Sequence, residues 1–163
     1  MNANDFPPQR FAEALEMLAA MPVFVEAAVD SVSADALREK PSPQDFCLLE
    51  HACHLRDLER EGYLVRVRRM LTEHVPALPS FDGAAVAAER NYMAQDGRAS
   101  AREFAAARRE LGTMLAALTP ADLEREAEFG GRRICLADLV HMICDHDREH
   151  RDEITSLLDQ QGP

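Results

Sequence analysis

Residues 136–160 carry apolar side chains at helical spacing over about seven turns, and this periodicity constrains the fold more than any other feature. At about 100° per residue, the apolar positions fall on one face of a single long helix. Such a helix must bury that face against other elements of the same domain. The residues on this face are Leu136, Leu139, Met142, Ile143, Ile154 and Leu157.

The rest of the sequence repeats the helical signal, whereas strand signals are nearly absent. We predict a first helix over residues 9–29, which Pro22 interrupts. A second helix is predicted over residues 43–73, with Ser42 as its N-cap.

A third helical region is predicted to be broken. It starts near Ala84, stops at Asp96, and restarts at the capping box Ser100-x-x-Glu103. Residues 126–134, with two glycines in the middle, are predicted to form a small hairpin or an irregular segment before the last helix. Together these elements predict an all-α fold, an antiparallel four-helix bundle.

Composition and charge exclude several classes of function. The chain of 163 residues fits one compact domain, residues 1–163. The net charge of −11 argues against a nucleic-acid partner, because phosphate binding needs a face rich in Lys and Arg. The first eight residues resemble no signal peptide, and no stretch approaches the roughly 20 apolar residues that cross a bilayer. We therefore expect a cytoplasmic protein without membrane contact, whose four cysteines are free thiols.

Two histidines interrupt the apolar face of the last helix. His146 and His150 are four residues apart, so their side chains are neighbours on that face. A buried imidazole needs a partner for each polar nitrogen, and a metal ion would satisfy one nitrogen of both rings. The alternative is a pair of core histidines that bond to the backbone or to water. Spacing alone does not decide between them, because a metal site needs a third ligand.

The second helix offers that third ligand. His51 and His54 lie on the face that also holds Leu58 and Val65, and periodicity does not separate the two histidines. His141 lies roughly opposite His146 on the last helix and is expected to face solvent.

Two motifs resemble those of a known family. Phe46 precedes His54 by eight residues, and His54 begins the segment His54-Leu-Arg-Asp57-Leu-Glu59. The last helix carries His146-Asp-Arg-Glu-His150. Over nearly its whole length the chain therefore resembles the DinB-like (YfiT-like) superfamily, four-helix bundles described as metal-dependent enzymes. The resemblance implies that the metal ligands are His54, His146 and His150, and that His51 is not one of them.

The sequence departs from the family pattern at two positions near the expected site. Phe46 stands where the family usually has Trp, and Glu153 stands where it often has Gln. A carboxylate at Glu153 either joins the outer shell of the metal or remains a charged edge residue, and Glu59 is a second candidate for the outer shell. Neither departure removes a ligand.

Three neutral histidines leave at least one coordination position for water or substrate, as in catalytic metal sites. We expect one divalent metal ion, and imidazole ligands suit zinc, nickel and iron alike. The resemblance implies an enzyme that acts on a small-molecule substrate. We expect either a transferase of a low-molecular-weight thiol with a metal-bound thiolate, as the resemblance implies, or a hydrolase with a metal-bound water, as the open coordination position allows. The alternative is a metal-binding stress-response bundle without catalysis.

The resemblance also implies a homodimer. The first helix carries apolar residues over a wide arc that includes Met17, Met21 and Phe24. A helix that is apolar on more than one side needs cover on more than one side, and a two-fold interface would supply it.

Overall fold

A computed structural model describes residues 8–161 of the chain. The predicted domain of residues 1–163 extends beyond this range at both ends, and the segment in which we expect no signal peptide lies almost entirely outside the described residues. The described elements are α1 (Pro8–Ser31), α2 (Leu48–Asp57), α3 (Leu64–Thr72), α4 (Gly83–Glu89), α5 (Gly97–Ala116), α6 (Pro120–Leu123), β1 (Glu126–Phe129), β2 (Arg132–Cys135) and α7 (Leu136–Gln161).

Four long helical segments form a bundle: α1, the consecutive pair α2 and α3, α5, and α7. Helix α1 packs against both α5 and α7, and α2 packs against α5. The interior consists of two apolar clusters, one that includes Leu111 and Leu139 and another that includes Val25 and Phe104. The predicted four-helix bundle is confirmed. Within residues 8–161, no helix combines the length and apolarity that crossing a bilayer requires.

The second helix begins later than predicted. It starts at Leu48, and the backbone N–H of Cys47 donates to Oε2 of Glu50 at 2.9 Å, which closes its first turn. Ser42 instead bonds to Asp45, its hydroxyl lying 2.7 Å from Oδ2, in a local turn before the helix. The prediction of Ser42 as N-cap is therefore wrong, because that serine satisfies a nearer carboxylate.

The third helical region is broken as predicted, but its second part has a different cap. The side chain of Asp96 accepts a hydrogen bond from the backbone N–H of Ala99 at 3.1 Å, so α5 begins at Gly97. Ser100 lies inside the helix, and its hydroxyl accepts from Nη1 of Arg56 at 2.9 Å. The capping box predicted at Ser100 is wrong because Asp96, an equally strong N-cap, precedes it.

The segment before α7 forms a hairpin, which is the first of the two predicted alternatives. Strands β1 and β2 pair antiparallel with Phe129 opposite Arg132. Gly130 and Gly131 make the turn at φ values of 57° and 75°, which glycine adopts without strain. In contrast to the predicted interruption, α1 continues through Pro22.

A π-helical segment, Leu58–Tyr63, joins α2 to α3. At its end the backbone N–H of Leu64 bonds to the carbonyl of Glu59, five residues back. The extra residue in this turn rotates all later positions by about 100° relative to an uninterrupted α-helix. As a result Arg66 is buried, whereas Val65, predicted on the face of His54, is only half-buried.

Candidate metal centre

The structure brings together the three histidines that the sequence predicts as metal ligands. His54 is on α2, and His146 and His150 are one turn apart on α7. The Nε2 atom of His146 lies 3.3 Å from Nε2 of His54 and 3.0 Å from Nε2 of His150. All three donor atoms lie within 4.8 Å of one another. His141 is half-buried elsewhere on α7 and is not part of this group.

The spacing of the Nε2 atoms on either side of His146 fits a single divalent ion. Metal–nitrogen bonds of about 2.0–2.1 Å at angles of roughly 90–109° place ligand nitrogens about 2.8–3.4 Å apart. The observed separations of 3.0 and 3.3 Å fall in this range. Without a cation the hydrogen bonding of the cluster is incomplete, because three converging ring nitrogens cannot all be paired donor to acceptor. The other ring nitrogens do not complete it, since Nδ1 of His54 and Nδ1 of His146 are buried without a hydrogen-bond partner in the described part of the chain.

Burial keeps these imidazoles neutral. Desolvation is the largest cause of a lowered pKa in each ring of the cluster. In His146 and His150 the repulsion that protonation would create with neighbouring histidines lowers the pKa further. The pKa falls to about 4 for His54, about 3 for His146 and about 2 for His150. Each ring therefore offers a lone pair near neutral pH, which is the form that binds metal.

His51 and Glu153 contact the other side of His150. Nδ1 of His150 lies 2.9 Å from Nδ1 of His51 and 3.1 Å from Oε2 of Glu153. If Nε2 of His150 binds metal, its Nδ1 must carry the proton and donate it to one of these acceptors. His51, Glu153 and His150 are also close enough to form a second group of potential ligands, but that group would use Nδ1 of His150 instead of Nε2. The two groups thus use opposite nitrogens of one ring.

Glu59, the other outer-shell candidate, has different partners. Both of its oxygens accept from Arg108, at 2.6 and 2.9 Å, and Arg108 also pairs with Asp147. These three side chains are almost completely buried, and with both carboxylates ionised they have a formal net charge of −1. Burial raises the pKa of Glu59 and Asp147, and the guanidinium of Arg108 opposes that shift. Asp147 follows His146 in sequence, so α7 links this buried ion cluster to the metal centre.

Arg108 is not among the residues predicted for the site, although the sequence contains a signal for it. On α5 it lies on the same face as Phe104, Leu111 and Leu115, all of which are buried. A cation in the middle of an apolar stripe indicates a buried ion pair, because a lone buried charge is too costly.

The three-histidine cluster lies against a cavity of about 810 Å³. His51, His54 and His150 form part of its wall, and Phe46 packs there with its ring centroid 5.4 Å from that of His54. The charged side chains in the described lining are all carboxylates: Asp45, Asp152 and Glu153. This cavity has the size of a small-molecule site, and its charge disfavours anions.

Gly83 closes one side of this cavity against the ring of His54. A Cβ atom at this position would lie 2.6 Å from Cε1 and 2.8 Å from Nδ1 of His54. Only glycine therefore allows the first turn of α4 to approach the imidazole this closely.

Comparisons with known proteins agree with the architecture. The sequence model of the DinB superfamily matches residues 10–154. The solved structure of YfiT from Bacillus subtilis, described as a probable metal-dependent hydrolase with an unusual four-helix bundle topology, superposes with a TM-score of 0.88. It is 20% identical in sequence, and the match covers 95% of this chain and 89% of YfiT. No curated protein matches the chain.

Proposed function

Because the chain belongs to the DinB superfamily, we propose that it is a metal-dependent enzyme acting on small molecules, with one divalent ion held by His54, His146 and His150. The observation that supports this most directly is the convergence of three neutral Nε2 atoms beside a cavity of about 810 Å³. Zinc, nickel and iron all suit this donor set.

A divalent ion on three neutral ligands lowers the pKa of a water or a thiol that reaches it and polarises a substrate carbonyl. The protein supplies the rest of the site. The cluster borders the cavity on one side, His51 and Glu153 are both placed to accept the Nδ1 proton of His150, and the ring of Phe46 packs beside His54.

Hydrolysis is the form of this function that we favour, with a neutral or cationic group of the substrate in the cavity of about 810 Å³. The charged side chains in the described lining of the cavity of about 810 Å³ are carboxylates, which repel the acidic groups common in small cellular thiols. The description of YfiT as a probable metal-dependent hydrolase points in the same direction. Transfer of a low-molecular-weight thiol remains the second candidate, because the same donor set would activate a thiol.

Metal analysis combined with two assays tests the proposal. Protein purified without an affinity tag should contain about one divalent ion per chain, as expected for a single three-ligand site. Metal-loaded and metal-free samples are then compared for hydrolysis of 4-nitrophenyl acetate and for loss of a thiol in the presence of 1-chloro-2,4-dinitrobenzene. We expect metal-dependent hydrolysis. Stoichiometric metal without turnover in either assay would instead support a non-catalytic, metal-binding stress-response bundle.

We further propose that the protein is a cytoplasmic homodimer. Its four cysteines are buried thiols with no disulfide between them, which suits a reducing compartment. Val23 on α1 is 68% exposed and is the one large apolar side chain with this exposure among the described residues. The wider arc expected on α1 is mostly covered within the chain, since Met21 is buried and Arg151 lies over Phe24. Light scattering distinguishes a mass near 18.2 kDa, that of one chain, from about twice that value.

A further inference from the structure

A second, smaller cavity of about 440 Å³ also reaches the three-histidine cluster. His54 and His146 lie in its wall, and His54 is the only described residue that it shares with the larger cavity. The two cavities therefore approach the cluster from different directions. Apolar side chains line much of the smaller cavity: Leu58, Phe81, Phe129 and Met142.

Arg66 places a buried cation without a carboxylate partner in this wall. It is 4% exposed, its Nε and Nη2 atoms donate to the carbonyl of Pro79 at 3.1 and 3.0 Å, and its guanidinium lies 4.5 Å from the ring centre of Phe129. In the described range no carboxylate pairs with it, and Nη1 makes no hydrogen bond. The other buried arginines, Arg56 and Arg108, both pair with aspartate or glutamate.

Tyr63 adds an unused hydroxyl beside this cation. The residue is 6% exposed, and its ring centre lies 5.5 Å from the guanidinium of Arg66 and 5.9 Å from the ring of His146. No hydrogen bond joins its hydroxyl to a described residue, and that oxygen is not among the fully buried polar atoms that lack a partner, so it is open to the cavity. The hydroxyl of the other tyrosine of the chain is already used, because Tyr92 donates to Asp57 at 2.8 Å.

We propose that the smaller cavity binds a small molecule bearing one carboxylate, with Nη1 of Arg66 and the hydroxyl of Tyr63 donating to that group. A single buried cation matches a single negative charge, and the apolar lining suits an aromatic or alkyl remainder. Burial raises the pKa of Tyr63, so its hydroxyl is a donor at neutral pH. Asp145 and Glu149 stand exposed at the rim, where they disfavour an anion and leave the buried end as the place for the carboxylate.

The proposal rests on the proposed function in one respect only: the bound carboxylate is taken to be a substrate or co-substrate of the metal centre. Binding itself depends on Arg66 and Tyr63, so it is testable without metal. We expect chelator-treated protein to keep its fold, because the apolar clusters of the bundle do not include the histidines. The cluster is then neutral at pH 7.5 and contributes no positive charge.

Isothermal titration of the metal-free protein with benzoate, and with its neutral isostere benzamide, tests the inference. We expect benzoate to bind with a Kd of roughly a millimolar or tighter, and at least about tenfold more tightly than benzamide. Arg66→Met and Tyr63→Phe should each weaken benzoate binding about tenfold or more, because each removes a hydrogen bond to a charged group. Arg60→Met is the matched control, since Arg60 is exposed and pairs with Glu103 at 3.1 Å.

Equal binding of benzoate and benzamide, no binding of benzoate, or full binding by the Tyr63→Phe protein would overturn the proposal. Tyr63→Phe is decisive if Arg66→Met fails to fold, because it removes one oxygen atom and keeps the ring that contacts Arg66 and His146. Failure of the metal to bind, with benzoate binding intact, would count against the proposed enzyme and not against this site.

Discussion

The Nδ1 atom of His150 lies 3.1 Å from Oε2 of Glu153, three residues further along α7. A carboxylate in this position holds the proton on Nδ1 and leaves Nε2 free to bind a metal. Glu153 is largely exposed, so its contribution acts through the orientation of one ring and not through stability of the fold.

Replacement of this carboxylate should therefore weaken the metal site. We predict that Glu153→Ala lowers metal affinity about tenfold, the lower end of what such partners contribute. Glu153→Gln should retain most of the affinity, because its amide oxygen accepts the same hydrogen bond. Asp152→Ala is the control, since it removes a carboxylate from the same cavity without a contact to His150. Competition with a chelator measures the metal affinity of all three variants. Equal losses of affinity in the two alanine variants would mean that only the overall negative charge of the cavity matters.

Each of the three predicted ligands should be required for metal binding. We expect His54→Ala, His146→Ala and His150→Ala to lose bound metal, measured by elemental analysis after gel filtration, because two imidazoles hold a divalent ion much more weakly than three. His74→Ala and His141→Ala remove histidines outside the cluster and should keep full stoichiometry. The assignment fails if all three ligand variants retain one ion per chain.

The sequence was sufficient for the architecture and for part of the site. Apolar periodicity located the four helical segments, and the spacing of four residues between His146 and His150 placed both rings on one face of α7. Periodicity did not choose between His51 and His54 because both are buried against His150, one near each ring nitrogen. The family resemblance selected His54, whose Nε2 atom faces the same point as those of the other two.

The features that the sequence did not reveal come from local backbone geometry. A π-helical turn has no reliable residue pattern, and the one at Leu58–Tyr63 shifts the register of α3 by one residue. In an uninterrupted α-helix Arg66 would lie about 120° from His54, whereas the extra residue reduces this to roughly 20°. The second cavity, with Tyr63 and Arg66 beside the cluster, was therefore not predictable from periodicity. The caps at Cys47 and Asp96 were missed because stronger-looking motifs lay nearby.

Close contact between Gly83 and His54 leads to a further prediction. Gly83→Ala should displace the imidazole, since the new Cβ would lie 2.6 Å from Cε1, and lower metal affinity about tenfold or more. Gly112→Ala is a matched control in α5, where a Cβ meets nothing within 4 Å. It should leave metal affinity unchanged and stabilise the protein by about 0.5–1 kcal/mol. Unchanged metal affinity in Gly83→Ala would show that the ring adapts without leaving the site.

The buried ion cluster should dominate the stability of the bundle centre. Arg108→Met removes the only cation between Glu59 and Asp147 in the described structure and leaves two buried carboxylates unpaired. We expect a loss of about 3–5 kcal/mol in the free energy of unfolding, measured with urea. Arg68→Met removes an exposed arginine paired with Glu110 and should cost less than about 1 kcal/mol. Similar losses for both variants would mean that the buried cluster adds no more than a surface pair.

Acid should destabilise the metal-free protein. Folding lowers the pKa of His51 and of His54 from 6.5 to about 4, chiefly through burial, and lowers those of His146 and His150 further. Below pH 6.5 the unfolded chain binds protons that the native state does not, so the stability present above pH 6.5 is lost as the pH falls toward 4. Each histidine contributes a slope of up to about 1.4 kcal/mol per pH unit in this window.

Urea unfolding at pH 7.5, 6.5 and 5.5 measures this loss, and His51→Leu isolates its cause. The variant removes one titrating ring, so its free energy of unfolding should fall less steeply as the pH is lowered. The slope should decrease by up to about 1.4 kcal/mol per pH unit, the contribution of one proton. Glu59 and Asp147 act in the opposite sense, because their raised pKa values let the native state bind protons first. Both carboxylates are intact in His51→Leu, so their contribution cancels in the comparison with the unmodified protein. Equal slopes in the two proteins would mean that His51 is already protonated, or well hydrated, in the native bundle.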